Sequence, residues 1–280
     1  MDLHTLLLTN NNCYKSGKKI KPAGIMVHST GANNPNLCRY VGPDDGLLGP
    51  NTGNNDWNRP LPDNREVCVH GFIGKLKSGA IAAYQTLPWE MRGWHAGGKA
   101  NDTHIGFEIC EDALTDAGYF AKVYQEAVDL CAMLCVTYNI KPEKPSLICH
   151  SEGYTLGIAS NHSDVMHWFP KFNKSMDTFR ADVKAAITKA ADDKAQTADT
   201  AAAPAAKPAV KPAAKPKPAK PVVKTPEEIT VDNAIADGII TEREHWLGVL
   251  TGTIKPNTDY IKIMMDNAHT LLVNQAADKK

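Results

Sequence analysis

Residues 24–28 read Gly24-Ile25-Met26-Val27-His28, a short apolar run that closes on a histidine. Such a run is too brief for a helix and reads as a buried β-strand. Runs of the same kind recur at 66–74 (EVCVHGFIG) and 80–84 (AIAAY), on either side of the turn Lys77-Ser78-Gly79, and again at 105–110 (IGFEIC) and 146–150 (SLICH). Between them Phe120, Tyr124, Ala127, Cys131, Leu134 and Tyr138 fall at helical spacing and predict one long amphipathic helix. Ser175 suits the N-cap of a second helix that turns Phe179, Val183 and Ile187 inward. Strands interleaved with helices over residues 1–190 predict an α/β domain, a central mixed β-sheet flanked by helices.

Composition divides the rest of the chain. Residues 191–224 hold 12 Ala, 6 Pro and 7 Lys and no aromatic residue, in the pattern AAKPAVKPAAKPKPAKP. Repeated X-Pro steps oppose helix, and there is too little bulky apolar surface to offset ordering entropy, so a disordered, polyproline-like linker is expected there. Residues 225–280 predict a small all-α module, with Thr230 capping a helix that holds Ala234 and Ile235, an apolar centre at 245–250 that includes Trp246, and a last helix through Ile261, Met264, Met265, Ala268 and Leu272. The chain carries 31 Lys+Arg and 31 Asp+Glu. That balance argues against a nucleic-acid binder, whose affinity rests on neutralised phosphates. It also conceals a neutral first domain, a linker at +4 (7 Lys, 3 Asp) and a tail at −4 (5 basic, 9 acidic).

Seven cysteines without a CxxC fit reduced, mostly buried thiols, and Cys131 and Cys135 fall on the long helix as packing residues. No window supplies about 18 consecutive apolar residues, so no membrane span is expected. The start of the chain lacks the basic region and apolar core of a secretory signal. Oligomeric state is not readable from any of these features.

Two of the ten histidines, His28 and His150, end expected strands, where side chains reach a cleft at the sheet edge. The tract NHSDVMHWFP adds His162, Asp164 and His167 within six residues. Neutral imidazole and carboxylate are the ligands of hydrolytic zinc sites, which use three protein ligands and one open position. No HExxH is present, so such a site has to be assembled from distant segments.

GIMVHST (24–30), RGWHAGG (92–98), NDTHIGFEICED (101–112) and ICHSEGYTLGIASNHSD (148–164) together resemble the zinc-dependent N-acetylmuramoyl-L-alanine amidases of the type-2 superfamily, which also holds the peptidoglycan recognition proteins. The resemblance covers about residues 20–185, in the family's motif order. It implies zinc as the cofactor, with His28, His150 and Asp164 as metal ligands, and peptidoglycan as the substrate. It further implies Glu108 as acid/base and His162 as the group that stabilises the transition state. The chain departs from the pattern after the third ligand, where VMHWFP stands in place of a Pro-Gly step, and the interval from His150 to Asp164 is long. Both departures leave His167, or His162 itself, as a rival third ligand.

The chemistry suits these residue types. Zinc lowers the pKa of water to about 7 and polarises an amide carbonyl. A carboxylate such as Glu108 can accept the water's proton and deliver it to the leaving amine. Read without the resemblance, Glu108 is a partly exposed edge-strand carboxylate paired with a Lys or Arg. Trp94 and His95 suit a groove wall for substrate, and Trp57 and Arg59, in the long loop 31–65, suit the same groove, with Arg gripping a carboxylate. Trp94 reads equally as core. His70, His104, Trp168 and Trp246 read as packing.

The activity implied is hydrolysis of the bond between N-acetylmuramic acid and L-alanine, by an endolysin or autolysin made in the cytoplasm and acting on the bacterial wall. The alternative is a non-catalytic peptidoglycan-recognition module, and the presence of a third ligand separates the two. The tail resembles small modules appended to wall-lytic enzymes, so wall binding and dimerisation both remain open for it.

Overall fold

The expected strand at 24–28 is the first half of β2 (Gly24–Asn33), and its residues alternate sharply between two environments. Ile25 and Val27 enter the largest apolar cluster of the molecule, while Met26 and His28 face the other way. The same alternation runs along β5 (His104–Glu111), where Ile105, Phe107 and Ile109 join that cluster and Gly106, Glu108 and Cys110 face the opposite side.

The computed structural model describes residues 1–61 and 64–202. The chain divides into two units, Met1–Ala205 and Ala206–Lys280. The module expected at 225–280, with Thr230 and Trp246, lies outside the described residues. The first unit is a six-stranded mixed sheet. Its strands are β1 (Leu3–Thr5), β2, β3 (Gly71–Lys75), β4 (Ile81–Gln85), β5 and β6 (Leu147–Cys149), in the order β1-β4-β3-β5-β2-β6. All neighbours are parallel except the β3–β4 hairpin.

On one face lie two long helices, α2 (Ala117–Tyr138) and α4 (Met176–Ala202). The predicted stripe of α2 is buried at Phe120, Tyr124, Ala127, Cys131 and Leu134, each at 5% exposure or less. Asp116 caps the helix by accepting from the Tyr119 amide at 2.9 Å, and Asn139 ends it in the left-handed region at φ 53°. Ser175 Oγ accepts from the Thr178 amide at 3.2 Å, as an N-cap should, and Phe179 and Val183 are fully buried. Each such apolar side chain contributes roughly 1.5–3 kcal/mol on leaving water.

The opposite face is covered by loops and by two short helices, α1 (Asn12–Ser16) and α3 (His150–Thr155). All seven cysteines are free, six of them buried. Among the described residues no helix is long and apolar enough to cross a membrane.

Several sequence expectations change here. The run 66–74 is a strand only from Gly71; before it Cys68 makes a single bridge to Trp94. His28 lies within β2 rather than at its end, and His150 opens α3. β5 sits between β3 and β2, so Glu108 is not on an edge strand. α4 continues to Ala202, well past residue 191. Residues 191–202 are Ala-rich and proline-free, which suits helix, and the first X-Pro step of this stretch, at Pro204, lies beyond the described residues.

Candidate active site and metal centre

The polar face of the sheet places chemistry-bearing residues side by side. His28 on β2 pairs in register with Glu108 on β5, and Glu108 pairs with Phe72 on β3. α3 follows β6 directly, so His150 becomes its first residue, beside the strand that carries His28. Asp164 comes from the turn that follows Ser160 and His162.

His28 Nδ1 and His150 Nδ1 lie 3.1 Å apart, and Asp164 Oδ2 is 3.2 Å from each. Three lone-pair atoms from segments up to 136 residues apart therefore converge on one point. Burial pushes the His28 pKa down, against the pull of Asp164, so that ring is held neutral. Burial alone would raise the Asp164 pKa, but the imidazoles of His150 and His28 outweigh it and hold the carboxyl well below its usual range. Two imidazoles and one carboxylate, all buried or nearly so, form the donor set that zinc takes in hydrolytic sites, and the residues fit that ion.

These residues line a cleft of about 410 Å³, together with Glu108, Ser160, His162, His95, Trp94 and Trp57. Glu108 Oε2 is buried with no hydrogen-bond partner among the described residues. Desolvation, then the charges of Asp164 and Glu111, raise its pKa well above 4.5. Such a carboxyl holds its proton more firmly than a solvated one, a property suited to proton transfer near neutral pH. His162 is exposed at the cleft, its ring 4.5 Å from that of His150 and its Nδ1 3.1 Å from Ser160 Oγ. Trp94 is 41% exposed with the Arg92 guanidinium 4.8 Å over its ring, so it forms a wall of the cleft and is not core.

The remaining expected residues take other positions. His167 Nε2 bonds Glu111 Oε1 at 2.8 Å and stands outside the His28–His150–Asp164 group. Trp57 packs edge-on against Phe72 at 5.1 Å and divides the cleft from a second cavity of about 280 Å³. Arg59 lines that second cavity rather than the cleft, and its guanidinium donates to the Asn54 carbonyl at 2.8 Å, bracing the loop. His95 borders the cleft, but both ring nitrogens are engaged, Nδ1 with His28 and Nε2 with the His104 carbonyl.

His70 and His104 are buried as packing requires. His70 donates from Nε2 to the Met91 carbonyl at 2.7 Å, and burial brings its pKa down to about 4. Trp168 is fully buried in the helix-side core.

Sequence reasoning missed four supporting residues. Ser160 Oγ meets His150 Nε2 at 3.2 Å and fixes that ring from behind. Asn101, fully buried, accepts the amides of both His95 and Ala96 at 2.8 Å and sets the turn holding His95. Arg180 forms a two-pronged pair with Glu152 at 2.9 and 3.0 Å and also donates to the Leu147 carbonyl, clamping α3 and hence His150 against α4. Ser160 lies two residues before His162, which is a usable signal; the other three carry none in their spacing.

The sequence model described as N-acetylmuramoyl-L-alanine amidase matches residues 18–170, more than half of the chain. Among solved structures, the PlyG catalytic domain is 22% identical at TM-score 0.47, covering 67% of this chain and 96% of that one. The AmiA hydrolase of Staphylococcus aureus is 18% identical at TM-score 0.46, covering 66% and 82%. PlyL is 21% identical at TM-score 0.44, covering 65% and 96%. No curated protein matches the chain.

Proposed function

Because the chain belongs to the N-acetylmuramoyl-L-alanine amidase family, we propose that it is a zinc-dependent hydrolase of the amide between N-acetylmuramic acid and L-alanine in peptidoglycan. The observation that carries the metal and the chemistry is the convergence of His28 Nδ1, His150 Nδ1 and Asp164 Oδ2 beside the unpartnered Glu108 carboxyl. Zinc held by those three residues would supply Lewis acidity, polarising the scissile carbonyl and bringing the pKa of water down to about 7. Glu108 takes the proton of the attacking water and returns it to the L-alanine amine as the amide breaks. His162, at the open side of the cleft, donates a hydrogen bond to the carbonyl oxygen as it gains charge, a contact whose removal typically costs about 2.7–4 kcal/mol. Trp94 and Trp57 flank the cleft and offer apolar faces to the sugar and the peptide stem.

Digestion of purified cell walls tests this reading. New L-alanine amino groups should appear without new reducing sugars, chelation should stop the reaction, and zinc should restore it. Reducing sugars in place of amines would reject the bond assignment, and undiminished activity after exhaustive chelation would reject zinc.

We further propose an endolysin or autolysin role on the bacterial wall. In that role the Ala/Pro/Lys-rich stretch tethers a wall-binding segment at 225–280, raising substrate concentration near the cleft. Trp246→Ala should then weaken co-sedimentation with walls while sparing cleavage of a soluble muropeptide; unchanged sedimentation removes Trp246 from that role.

A further inference from the structure

We propose that His95 is a positioning residue that dictates which nitrogen of His28 meets the metal. The proposal rests on the zinc reading above and reassigns a residue that the sequence suggested for the substrate wall.

His95 Nε2 lies 3.1 Å from the carbonyl oxygen of His104, and a carbonyl only accepts, so Nε2 carries the hydrogen of the neutral ring. His95 Nδ1 is then an acceptor, 2.9 Å from His28 Nε2. With an ion held against Asp164, His28 donates there and its Nδ1 is left bare. That Nδ1 is the atom placed 3.1 Å from His150 Nδ1 and 3.2 Å from Asp164 Oδ2. The reverse assignment would turn a bare His95 Nε2 onto the His104 carbonyl, lone pair against lone pair. A ligating imidazole that donates its other N–H to a fixed acceptor is oriented and made more basic by it.

The seat of His95 is built for close contact with the sheet. A Cβ on Gly106 would fall 2.4 Å from His95 Nδ1, so the ring can lie on β5 only because that position has no side chain. The Gly106 amide is itself held by His70 Nδ1 at 3.0 Å, and His70 is pinned through Nε2 to Met91. On the outer side, Asn101 holds the His95 amide. His70 and Asn101, neither of which enters the metal group, thus fix the acceptor that His28 Nε2 meets.

Two measurements on the full chain decide the matter. Long-range nitrogen–proton NMR of the zinc-loaded wild type should find both His28 and His95 as Nε2–H tautomers; an Nδ1–H tautomer at either ring overturns the proposal. Zinc affinity by competition with a chromophoric chelator should fall about 10–100-fold in His95→Leu. His95→Asn, whose amide oxygen can occupy the place of Nδ1, should recover most of that loss. A His95→Leu protein that binds zinc as the wild type does, with only KM raised, would return His95 to the substrate wall and overturn the proposal. Should His95→Leu fail to fold, the wild-type tautomers still decide. A wild type that takes up no zinc overturns the zinc reading and the proposal with it, whereas zinc uptake with an Nδ1–H ring overturns the proposal alone.

Discussion

Phe107 and Glu108 are neighbours on β5 and opposite in their surroundings. Phe107 is fully buried under α2 and α4 among aliphatic and aromatic side chains. Glu108 faces the loop-covered side, its carboxyl oxygen buried without a partner and its pKa raised by that burial. The helix-covered face is predominantly apolar and stores stability. The loop-covered face holds converging lone pairs and a buried acid oxygen without a partner among the described residues, arrangements that cost stability and suit a bound ion and substrate. One strand thus serves both purposes, divided by the two-residue period of its side chains.

Substitutions one residue apart can break or sharpen that division. The largest effect is expected at the metal group. Asp164→Ala should abolish zinc uptake and hydrolysis together while the protein stays folded, read by metal analysis and wall digestion; retained activity would leave the ligand set wrong. Glu108→Gln should lower kcat by about 100- to 10,000-fold with zinc still bound.

The same variant carries a pH signature. The folded pKa of Glu108 is raised, so the unfolded chain ionises it first, and the metal-free wild type loses stability as pH rises above about 4.5 toward the folded value. Glu108→Gln removes that loss. Its advantage in metal-free thermal stability should therefore grow with pH above 4.5, and an advantage that shrinks instead would contradict the burial of a protonated acid.

On the other face the order of effects reverses. Phe107→Ala should cost about 3–5 kcal/mol of stability, read by denaturant midpoint, with the folded fraction keeping its zinc affinity. Asp116→Ala removes the cap of α2 and should cost about 1 kcal/mol with no change in activity. If Phe107→Ala lowered zinc affinity as much as stability, the two faces would not be separable.

The sequence made the helix face readable because its signal is periodic. Phe120 to Leu134 on α2 and the odd-numbered residues of β5 are legible from spacing alone. His28, His150 and Asp164 became candidates through their motifs, but spacing could not separate Asp164 from His167. The chain turns between them, and that turn carries His167 toward the buried Glu111. His95 illustrates the harder case. Its residue type and position suggested a groove wall, whereas its role depends on Gly106 across the sheet and on a carbonyl of β5, contacts that no local pattern encodes. β1 and α1, of three and five residues, are too short to carry a periodic signal. The continuation of α4 to Ala202 is legible in the same terms, since the proline pattern starts only at Pro204 and the composition of 191–224 taken whole merges a helix-forming alanine stretch with the linker.

The place of β2 between β5 and β6 has a further consequence for the order in which the protein comes into being. His28 emerges early from the ribosome, yet its strand gains one neighbour only with residues 104–111 and the other with 147–149. Asp164 follows His28 by 136 residues, an interval of roughly 7–30 s at the usual pace of translation, about 5–20 residues per second. During that interval the cleft residues Trp57, Trp94, Glu108 and His150 emerge in turn, yet the metal group stays incomplete until Asp164. Hydrolytic capacity therefore arrives in a single late step, when the segment carrying His162 and Asp164 closes over strands already laid side by side.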